Sequence, residues 1–502
     1  MFQPEVLLVY PSDKTDNYTP PLSLLFIAKV LQNIGLRVSI LDMRIHVLDQ
    51  SFLRRYLFVG ISMLTGKSIR YALDFSREIK QFDSKIPIVL GGVHPTLLPE
   101  QTLRNELISF IVMGEGEETI RELALCLLNN EDLSRVKGLA FKDKNKTITI
   151  NSPREFIDLN NIDINLPYEL LGVDLKHYLR FPIHTGRGCP YRCGFCYNLS
   201  FNKGKYRCKN PVRVVDEIEY CMEKFKTHSF SFAYEDEFFA DPRRVCEICE
   251  LILKRCLKIN WGSFGRFDSF DRFDESALKL LKKSGCCYLM FGAESGSQRI
   301  LDKVIKKGIT VAQIVQGVEK LKRYNIPHLI SFMSCLPTET EEDLNSTFNL
   351  IRKISQNNLL LYINGMPPFI PIPGTPLFNR VETDFGFIPP NSLEEWAMYD
   401  VDSLPASKIT WQSTKYVKKC QNINKMLLMY PFYNEAINSY KIYKIYTKVH
   451  HNYHNSYIFY VIGFLQKWRW ENKFYCFFFD LWLYKKIMFC LQISKKCLRN
   501  FG

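Results

Sequence analysis

The chain has 502 residues, enough for two or three domains that each bury a core of their own. A hydrophobic fraction of 46% and a charged fraction of 24% are ordinary for a globular protein and exclude a wholly disordered chain. The net charge of +14 is concentrated at one end, because residues 401–502 hold 16 Lys and Arg against 4 Asp and Glu, with 24 of the 69 aromatic residues. This C-terminal stretch is therefore basic and rich in aromatic residues, whereas the first 400 residues are close to neutral.

The N-terminus reads as a first β-strand and not as a secretory signal, because a short apolar run at residues 6–10 follows without a basic segment before it. The cytoplasm is therefore the expected compartment. In that compartment the sixteen cysteines are expected as thiols and cluster ligands instead of disulfides.

Residues 1–135 alternate short apolar runs with helical patterns, and we interpret them as one domain. The runs at residues 6–10, 38–41, 58–62, 86–90 and 110–113 are predicted as strands. Residues 22–34 are predicted as an amphipathic helix ended by Gly35. Repeated strand–helix units predict an α/β fold with a doubly wound, flavodoxin-like parallel sheet, which binds ligands at the carboxyl ends of its strands.

Unusual residues follow the third and fourth predicted strands. Ser62 and Leu64 come after one, and Gly91 and Gly92 come after the next. Adjacent glycines let a large flat ligand approach the backbone, although either feature alone suits an ordinary strand-to-helix turn. Together they resemble the Ser-x-Leu and Gly-Gly elements of cobalamin-binding domains. The Asp-x-His-x-x-Gly element of those domains is absent, since residues 11–18 contain no histidine, so the resemblance implies another lower ligand for cobalamin, water or none.

A Gly-Glu-Gly-Glu turn at residues 114–117 opens the next predicted helix. Carboxylates near a helix N-terminus interact favourably with its dipole, and we prefer this capping role to a catalytic one. The turn is also similar to one usual in cobalamin-binding radical enzymes. Residues 136–180 are predicted as a hairpin, up to residue 151, and a linker.

Three cysteines form the strongest motif of the chain. Cys189, Cys193 and Cys196 have the spacing C-x3-C-x2-C, and two glycines and a proline around them allow tight turns. A structural zinc site would need four protein ligands, usually as two separated pairs, so a triplet favours an iron–sulfur cube with one iron left open. A disulfide set or inert buried thiols are the alternatives, which the clustering and the flanking glycines disfavour.

With Phe195 just before the last cysteine, the motif resembles the signature of the radical S-adenosylmethionine enzymes. The domain before it is similar to that of members that also bind cobalamin, such as class B methyltransferases and magnesium-protoporphyrin monomethyl ester cyclases. The resemblance implies a 4Fe-4S cluster on the three cysteines, which cleaves S-adenosylmethionine reductively. In the family scheme the resulting 5'-deoxyadenosyl radical takes hydrogen from an unactivated carbon, and methyl-cobalamin delivers the methyl group.

Residues 181–390 are predicted as a partial (β/α)6 barrel with its active face at the strand C-termini. Six residues near the cluster or at strand ends are assigned to S-adenosylmethionine by the resemblance: Phe195, Glu235, Asp236, Arg266, Glu294 and Ser295. Solvated acids are common in such loops, so an ordinary surface carboxylate is the alternative for each acid. Cys335 and Thr338 stand where the family has glycines beside a Leu-Pro pair, which leaves the local backbone conformation open.

Residues 391–502 are predicted as a mostly helical region. Its aromatic runs at 457–465 and 474–484 are shorter than a spanning helix and lie beside charged residues. An interfacial helix on a membrane surface, a lid over an apolar substrate and a packed helical cap all suit this composition. Nucleic acid is not expected as a partner, because no recognised motif accompanies the charge.

The sequence thus predicts a cobalamin-dependent radical S-adenosylmethionine enzyme that methylates an unactivated carbon of a small molecule, for which an apolar compound is a candidate. Its expected electron donor is a flavodoxin or ferredoxin. A cobalamin-assisted cyclase or rearrangement enzyme is the alternative within the family, and a non-catalytic cofactor-binding accessory protein is the alternative outside it. No catalytic residue is assigned. A cytoplasmic protein with peripheral membrane contact is a further open interpretation.

Overall fold

The computed structural model describes residues 4–12, 19–46, 52–143, 145–175, 178, 180–233, 235–358, 360–399 and 404–428. The aromatic runs predicted at 457–465 and 474–484 lie outside the described residues. Two large sheets dominate the described part, one of seven strands and one of six.

The N-terminal sheet has parallel strands covered by helices. Its elements up to residue 129 are β1 (Glu5–Tyr10), α1 (Leu22–Asn33), β2 (Arg37–Asp42), β3 (Phe58–Ser62), α2 (Lys67–Phe82), β4 (Ile88–Gly91), α3 (Val93–Leu97), α4 (Pro99–Arg104), β5 (Phe110–Val112) and α5 (Glu117–Asn129). The strand order is β2-β1-β3-β4-β5, so the chain reverses its direction of travel across the sheet between β1 and β3. This confirms the doubly wound sheet, and such a reversal opens a crevice beyond the strand ends.

Continuous apolar runs form these strands because both faces of the sheet are buried. Val6, Leu7, Leu8 and Val9 of β1 are at most 2% exposed. The predicted hairpin is present as β6 (Leu139–Lys142) and β7 (Ile148–Ile150). It pairs antiparallel with β5, so the sheet extends as far as Ile150.

The second sheet is the partial barrel, with six parallel strands in the order β15-β14-β13-β12-β11-β8. Its elements are β8 (Phe181–Pro182), β9 (Gly186–Arg187), α6 (Asn198–Phe201), β10 (Arg207–Cys208), α7 (Pro211–Phe225), β11 (Ser229–Ser231), α8 (Pro242–Lys254), β12 (Asn260–Gly265), α9 (Phe267–Asp271), α10 (Glu275–Lys283), β13 (Cys286–Glu294), α11 (Val311–Arg323), β14 (His328–Phe332), α12 (Glu341–Ser355) and β15 (Leu361–Ile363). β9 and β10 form a separate antiparallel ribbon beside this sheet.

Three helices follow the barrel: α13 (Pro376–Phe385), α14 (Leu393–Trp396) and α15 (Thr414–Leu428). α14 packs against the N-terminal domain, where Trp396 donates its indole N–H to Gln101 at 2.7 Å. α15 buries Val417, Cys420 and Ile423 against the barrel side of the molecule. Within the described part of the chain, none of the helices combines the length and apolar character that a membrane span requires.

Candidate functional site

A cavity of about 1080 Å³ lies between the two sheets. Its walls come from the carboxyl ends of β1, β3, β4 and β5, from Phe195 and Tyr197 at the end of the cysteine loop, and from residues after β14 and β15. Cys189, Cys193 and Cys196 themselves are not among the described residues of the lining. Both the crevice of the doubly wound sheet and the active face of the barrel therefore open into the same space. One ligand bound on each domain would meet the other there.

All four residues predicted for cobalamin line this cavity: Ser62, Leu64, Gly91 and Gly92. Ser62 and Gly91 are partners on neighbouring strands, and the apolar side chain of Leu64 is 54% exposed. Gly92 has φ +104°, and a Cβ at this position would lie 2.6 Å from the carbonyl oxygen of Met63. The positive φ and the close approach of the Met63 backbone both require a glycine at this position.

The cavity floor fits a large flat ligand such as cobalamin. Gly60, Gly91, Gly92, Gly114 and Gly116 all line it, so the ligand would lie against backbone instead of side chains. His94, two residues after Gly92, is buried with Nδ1 3.1 Å from Oγ1 of Thr65, and it is not among the described residues that line the cavity. Burial lowers the pKa of His94 to about 4.

Backbone hydrogen bonds hold the cysteine loop in place. The N–H of Gly194 donates to the carbonyl of Ile305 at 2.7 Å, and its carbonyl accepts from the N–H of Leu377 at 2.9 Å. Ile305 directly follows a short π-helix at Ile300–Val304, an irregularity that is frequent at functional sites. The loop is therefore joined to a distant segment of the barrel and to α13, which follows it.

The donor set of the loop fits an iron–sulfur cluster. Burial raises the pKa of the Cys189 thiol to about 12 and that of Cys196 to about 11, so these thiols need a cationic partner to become ligands. Nη1 of Arg266 lies 2.9 Å from Sγ of Cys193 and supplies one such charge. No three His, Cys, Asp or Glu side chains among the described residues surround a site for a single metal ion; cysteines that bind separate irons of a cluster need not converge on one point.

Asp236 and Phe195, two of the residues predicted for S-adenosylmethionine, line the cavity beside the cysteine loop. Oδ2 of Asp236 accepts the N–H of Gly188 at 2.7 Å, and Oδ1 accepts the hydroxyl of Tyr197 at 3.3 Å. A carboxylate in this position can accept further donors, as the ammonium group of an amino acid requires.

Glu235 has a different environment from its neighbour Asp236. Its side chain is buried, and it accepts hydrogen bonds from Tyr206 at 2.6 Å and from Thr185, with Arg244 at 3.5 Å. Burial raises the pKa of this carboxyl. Glu235 is not among the described residues that line the cavity, so a contact with S-adenosylmethionine stays a prediction for this residue.

The other three predicted contacts also have protein partners. Arg266 stacks over the ring of Tyr191 at 3.7 Å and pairs with Asp268 at 3.0 Å. Glu294 accepts from Lys307 at 2.8 Å, and Oγ of Ser295 lies 3.3 Å from Oγ1 of Thr347. The described cavity lining contains none of the predicted residues Arg266, Glu294 and Ser295. Their assignment to S-adenosylmethionine stays a prediction, and in the structure Arg266 contacts Cys193.

Cys335 and Thr338 resolve the backbone question raised by the sequence. Their φ angles are +54° and +62°, in the left-handed region that glycine favours. The loop after β14 therefore has the conformation for which a glycine would be suited, although neither residue is a glycine. Two side chains hold this loop in place. The indole N–H of Trp411 donates to the carbonyl of Cys335, and the side-chain amide of Gln412 donates to the carbonyl of Leu336.

Sequence reasoning missed the ion pairs of the Gly-Glu-Gly-Glu turn. Oε1 of Glu115 lies 2.7 Å from Nη2 of Arg207, and Glu117 pairs with Arg187. The capping interpretation is wrong for Glu115, because its partners are arginines of the β9–β10 ribbon, while Glu117 does lie in the first turn of α5. Arg187 lies two residues before Cys189, the first cysteine of the motif, and a charged residue at that position was the available signal in the sequence.

A second missed feature is an apolar wall. The barrel side of the cavity is lined by Met333, Pro367, Pro368, Phe369, Ile370 and Ile372.

A third missed feature is the buried carboxyl of Glu237, which follows Asp236. One of its carboxylate oxygens has no described hydrogen-bond partner, and burial raises its pKa to about 8.

Comparison with known proteins agrees with this geometry. Residues 183–351 match the Radical SAM superfamily, and residues 12–124 match the B12 binding domain. An uncharacterised methyltransferase of Pyrococcus horikoshii is 31% identical over 348 residues, which are 67% of this chain and 73% of that protein. The anaerobic magnesium-protoporphyrin IX monomethyl ester cyclase of Cereibacter sphaeroides is 31% identical over 58% of this chain, but the match spans only 48% of the cyclase.

Two solved structures share the fold. The radical S-adenosylmethionine methyltransferase TsrM from Kitasatospora setae, solved with tryptophan substrate and an S-adenosylmethionine analogue, has a TM-score of 0.65 at 20% identity, covering 76% of this chain and 77% of TsrM. The cobalamin-dependent S-adenosylmethionine radical enzyme OxsB has a TM-score of 0.66 at 19% identity, covering 92% of this chain and 72% of OxsB.

The fold and the cavity define a radical enzyme with two cofactor-binding domains. The chain belongs to the Radical SAM superfamily and carries the B12 binding domain of its cobalamin-dependent members. Its cofactors are a 4Fe-4S cluster, S-adenosylmethionine and cobalamin, as the sequence predicts.

Proposed function

We propose that this enzyme transfers a methyl group to an unactivated carbon of a small molecule. The observation that carries the proposal is the single cavity into which the carboxyl ends of the N-terminal strands and the cysteine loop both open. A methyl donor on one domain and a radical source on the other must reach the same substrate carbon, and a shared cavity permits this.

Particular residues have particular parts in this proposal. When bound, the cluster would supply one electron to S-adenosylmethionine, and cobalamin would carry the methyl group. Cys189, Cys193 and Cys196 would hold the cluster, and Arg266, 2.9 Å from the sulfur of Cys193, would offset the charge of that thiolate.

Other residues would bind S-adenosylmethionine and cobalamin. Asp236 would orient the amino acid end of S-adenosylmethionine, and Phe195 lines the same cavity as Asp236. Ser62, Leu64, Gly91 and Gly92 bind cobalamin along the strand ends.

The apolar wall after β14 and β15 supports an apolar substrate. Met333, Phe369, Ile370 and Ile372 offer it no charged group, and they exclude water from that side of the cavity. A largely apolar molecule would bury its surface against this wall. The donor of the reducing electron is proposed to be a flavodoxin or ferredoxin, and the compartment the cytoplasm.

The test uses anaerobically reconstituted enzyme with S-adenosylmethionine labelled in its methyl group. Fractions of a small-molecule extract are screened for a product that carries the labelled methyl carbon, and 5'-deoxyadenosine and S-adenosylhomocysteine are measured in the same reactions. Methylation predicts the labelled product together with both nucleosides. A reaction that forms 5'-deoxyadenosine and an oxidised or ring-closed product without label would refute methyl transfer.

Ring closure is the second candidate, and similarity to cyclases favours it. The Cereibacter sphaeroides cyclase and the uncharacterised methyltransferase have the same identity to this chain. The labelling experiment distinguishes the two reactions, because a cyclase consumes no methyl group.

A further inference from the structure

A group of ion pairs joins the cobalamin-binding domain to the ribbon that leads into the cysteine loop. Glu115 and Glu117 belong to the turn before and at the start of α5, and Arg187 and Arg207 face each other across β9 and β10. Oε1 of Glu115 lies 2.7 Å from Nη2 of Arg207 and 3.2 Å from Nη1 of Arg187, while Oε1 of Glu117 lies 2.5 Å from Nη2 of Arg187. The carboxylates come from one domain and the guanidinium groups from the other.

Arg187 makes contacts in both domains. Its side chain is only 16% exposed, and those of Glu115 and Glu117 are 5% and 11% exposed. Nε of Arg187 donates to Nε2 of His184 at 3.2 Å, and the guanidinium lies 5.5 Å from the ring centre of Phe26 in α1. A buried charge with several bonded partners has few alternative positions, since leaving them would expose it to an apolar interior.

The same residue is directly connected to the reaction site. The N–H of Gly188, the next residue, donates to Asp236 at 2.7 Å, and Cys189 follows it. Arg187, Glu115, Glu117 and Asp236 all line the shared cavity. A shift of Arg187 toward or away from α5 would therefore move the start of the cysteine loop relative to the strand ends that face it.

We propose that Arg187 is a positioning residue, which sets the spacing between the cobalamin-binding face and the cysteine loop by pairing with Glu117 and Glu115. Domains of one chain move relative to each other unless their interface prevents it. A misplacement of about 1 Å can cost on the order of 100-fold in rate. The inference rests on the family's two cofactors and holds for methyl transfer and ring closure alike.

The test compares Arg187→Gln, Arg187→Lys and Glu117→Gln with the wild type as holoenzyme, with the cluster reduced and the cobalamin in its Co(II) state. Electron paramagnetic resonance measures the magnetic interaction between the two centres, which depends on their distance. The matched control is Arg154→Gln, because Arg154 pairs with Glu122 on the same helix α5 but is not among the described residues of the cavity wall.

We expect Arg187→Gln and Glu117→Gln to retain iron and cobalamin at wild-type stoichiometry and to show a weaker interaction in the cobalt signal, because the two centres would lie farther apart. Arg187→Lys should restore part of it, and Arg154→Gln should leave it unchanged.

An unchanged cobalt signal in Glu117→Gln with both cofactors bound overturns the inference. An equal loss in Arg154→Gln also overturns it, because any weakened pair on α5 would then have the effect. If Arg187→Gln does not take up the cluster, Glu117→Gln decides alone, since it alters no residue near the cysteines. Failure of the proposed methylation has a different signature, an intact magnetic interaction without labelled product.

Discussion

Individual side chains decide whether the cysteine loop can bind a charged cluster. Arg266 contacts Cys193, stacks on Tyr191 and pairs with Asp268, so its positive charge is fixed beside the sulfur. Glu237 lies near this group, and burial raises the pKa of its carboxyl to about 8. The loop thus has a fixed cation beside Cys193, whose charge is partly offset by its ion pair with Asp268.

Replacing one ligand tests the cluster directly. We expect Cys196→Ala to abolish cluster binding and S-adenosylmethionine cleavage while cobalamin still binds, because the two cofactors belong to different domains. Iron and sulfide content, 5'-deoxyadenosine formation and the cobalamin absorbance are the measurements. Cys256→Ala is the control, since that cysteine is exposed. Cleavage retained by Cys196→Ala would contradict the assignment.

Gly92 provides a test on the cobalamin side. We expect Gly92→Ala to destabilise the domain by about 1–3 kcal/mol from backbone strain, with a further cost from the 2.6 Å approach of its Cβ to the Met63 carbonyl. Cobalamin binding should be lost with it. Gly35→Ala is the control: its φ is +84° but no described atom lies within 4 Å of a Cβ, so only about 1–2 kcal/mol of strain applies. Thermal unfolding and cobalamin titration measure both, and equal effects of the two variants would refute the steric argument.

At the scale of secondary structure, the strands of the N-terminal sheet were predictable because burial on both faces makes them continuous apolar runs. The predicted strand at 58–62 matches β3, and the helix predicted at 22–34 ends one residue earlier as α1. Side-chain direction at the strand ends was not predictable. Glu235 and Asp236 are adjacent, yet Thr185 and Arg244 hold Glu235 in the interior while Asp236 lines the cavity. Thr185 is 50 residues from Glu235 and Arg244 belongs to the next helix, so no pattern within the strand end could distinguish the two acids.

β14 contains a histidine that predicts a pH dependence of stability. His328 is fully buried; its Nδ1 lies 2.8 Å from the carbonyl of Ile326, and its Nε2 lies 3.1 Å from the amide nitrogen of Asn358. The Ile326 carbonyl can only accept, so Nδ1 carries a proton. The amide nitrogen of Asn358 donates to Nε2, which therefore carries none, and the imidazole is neutral. Burial lowers its pKa from 6.5 to about 4.

Because the unfolded chain binds a second proton on this imidazole more readily than the folded chain does, protonation favours unfolding. The contribution of His328 to the free energy of unfolding is therefore complete above pH 6.5 and decreases as the pH falls toward 4. The decrease amounts to about 3 kcal/mol across that range. Urea unfolding of the apoprotein at several pH values measures it, and His328→Gln should be less stable at pH 7 but show a flatter dependence. An equally steep dependence in that variant would exclude His328 as the cause.

At the scale of the whole molecule, the described residues after the barrel hold the two domains together. Trp396 binds Gln101 of the N-terminal domain, and Trp411 and Tyr416 contact the loop after β14. A chain ended near residue 400 would therefore lose buried aromatic residues, whereas a chain ended at residue 428 would retain them.

This difference defines how the proposed membrane contact of the C-terminal region can be tested. We expect a chain of residues 1–428 to fold and bind both cofactors, and to float with anionic liposomes less than the full chain does, because most of the excess positive charge is removed. A chain of residues 1–400 should unfold at lower temperature than both. Equal flotation of the full chain and residues 1–428 would argue against a membrane role for the removed residues.

The two backbone hydrogen bonds of Gly194 bear on how the enzyme matures. They connect the cysteine loop to Ile305 and Leu377 through protein groups alone, so these two restraints do not depend on a bound metal. We therefore expect cluster assembly to need less ordering of the chain than folding around a metal does. The expected consequence is an apoprotein that accepts delivered iron and sulfide without large rearrangement of this loop.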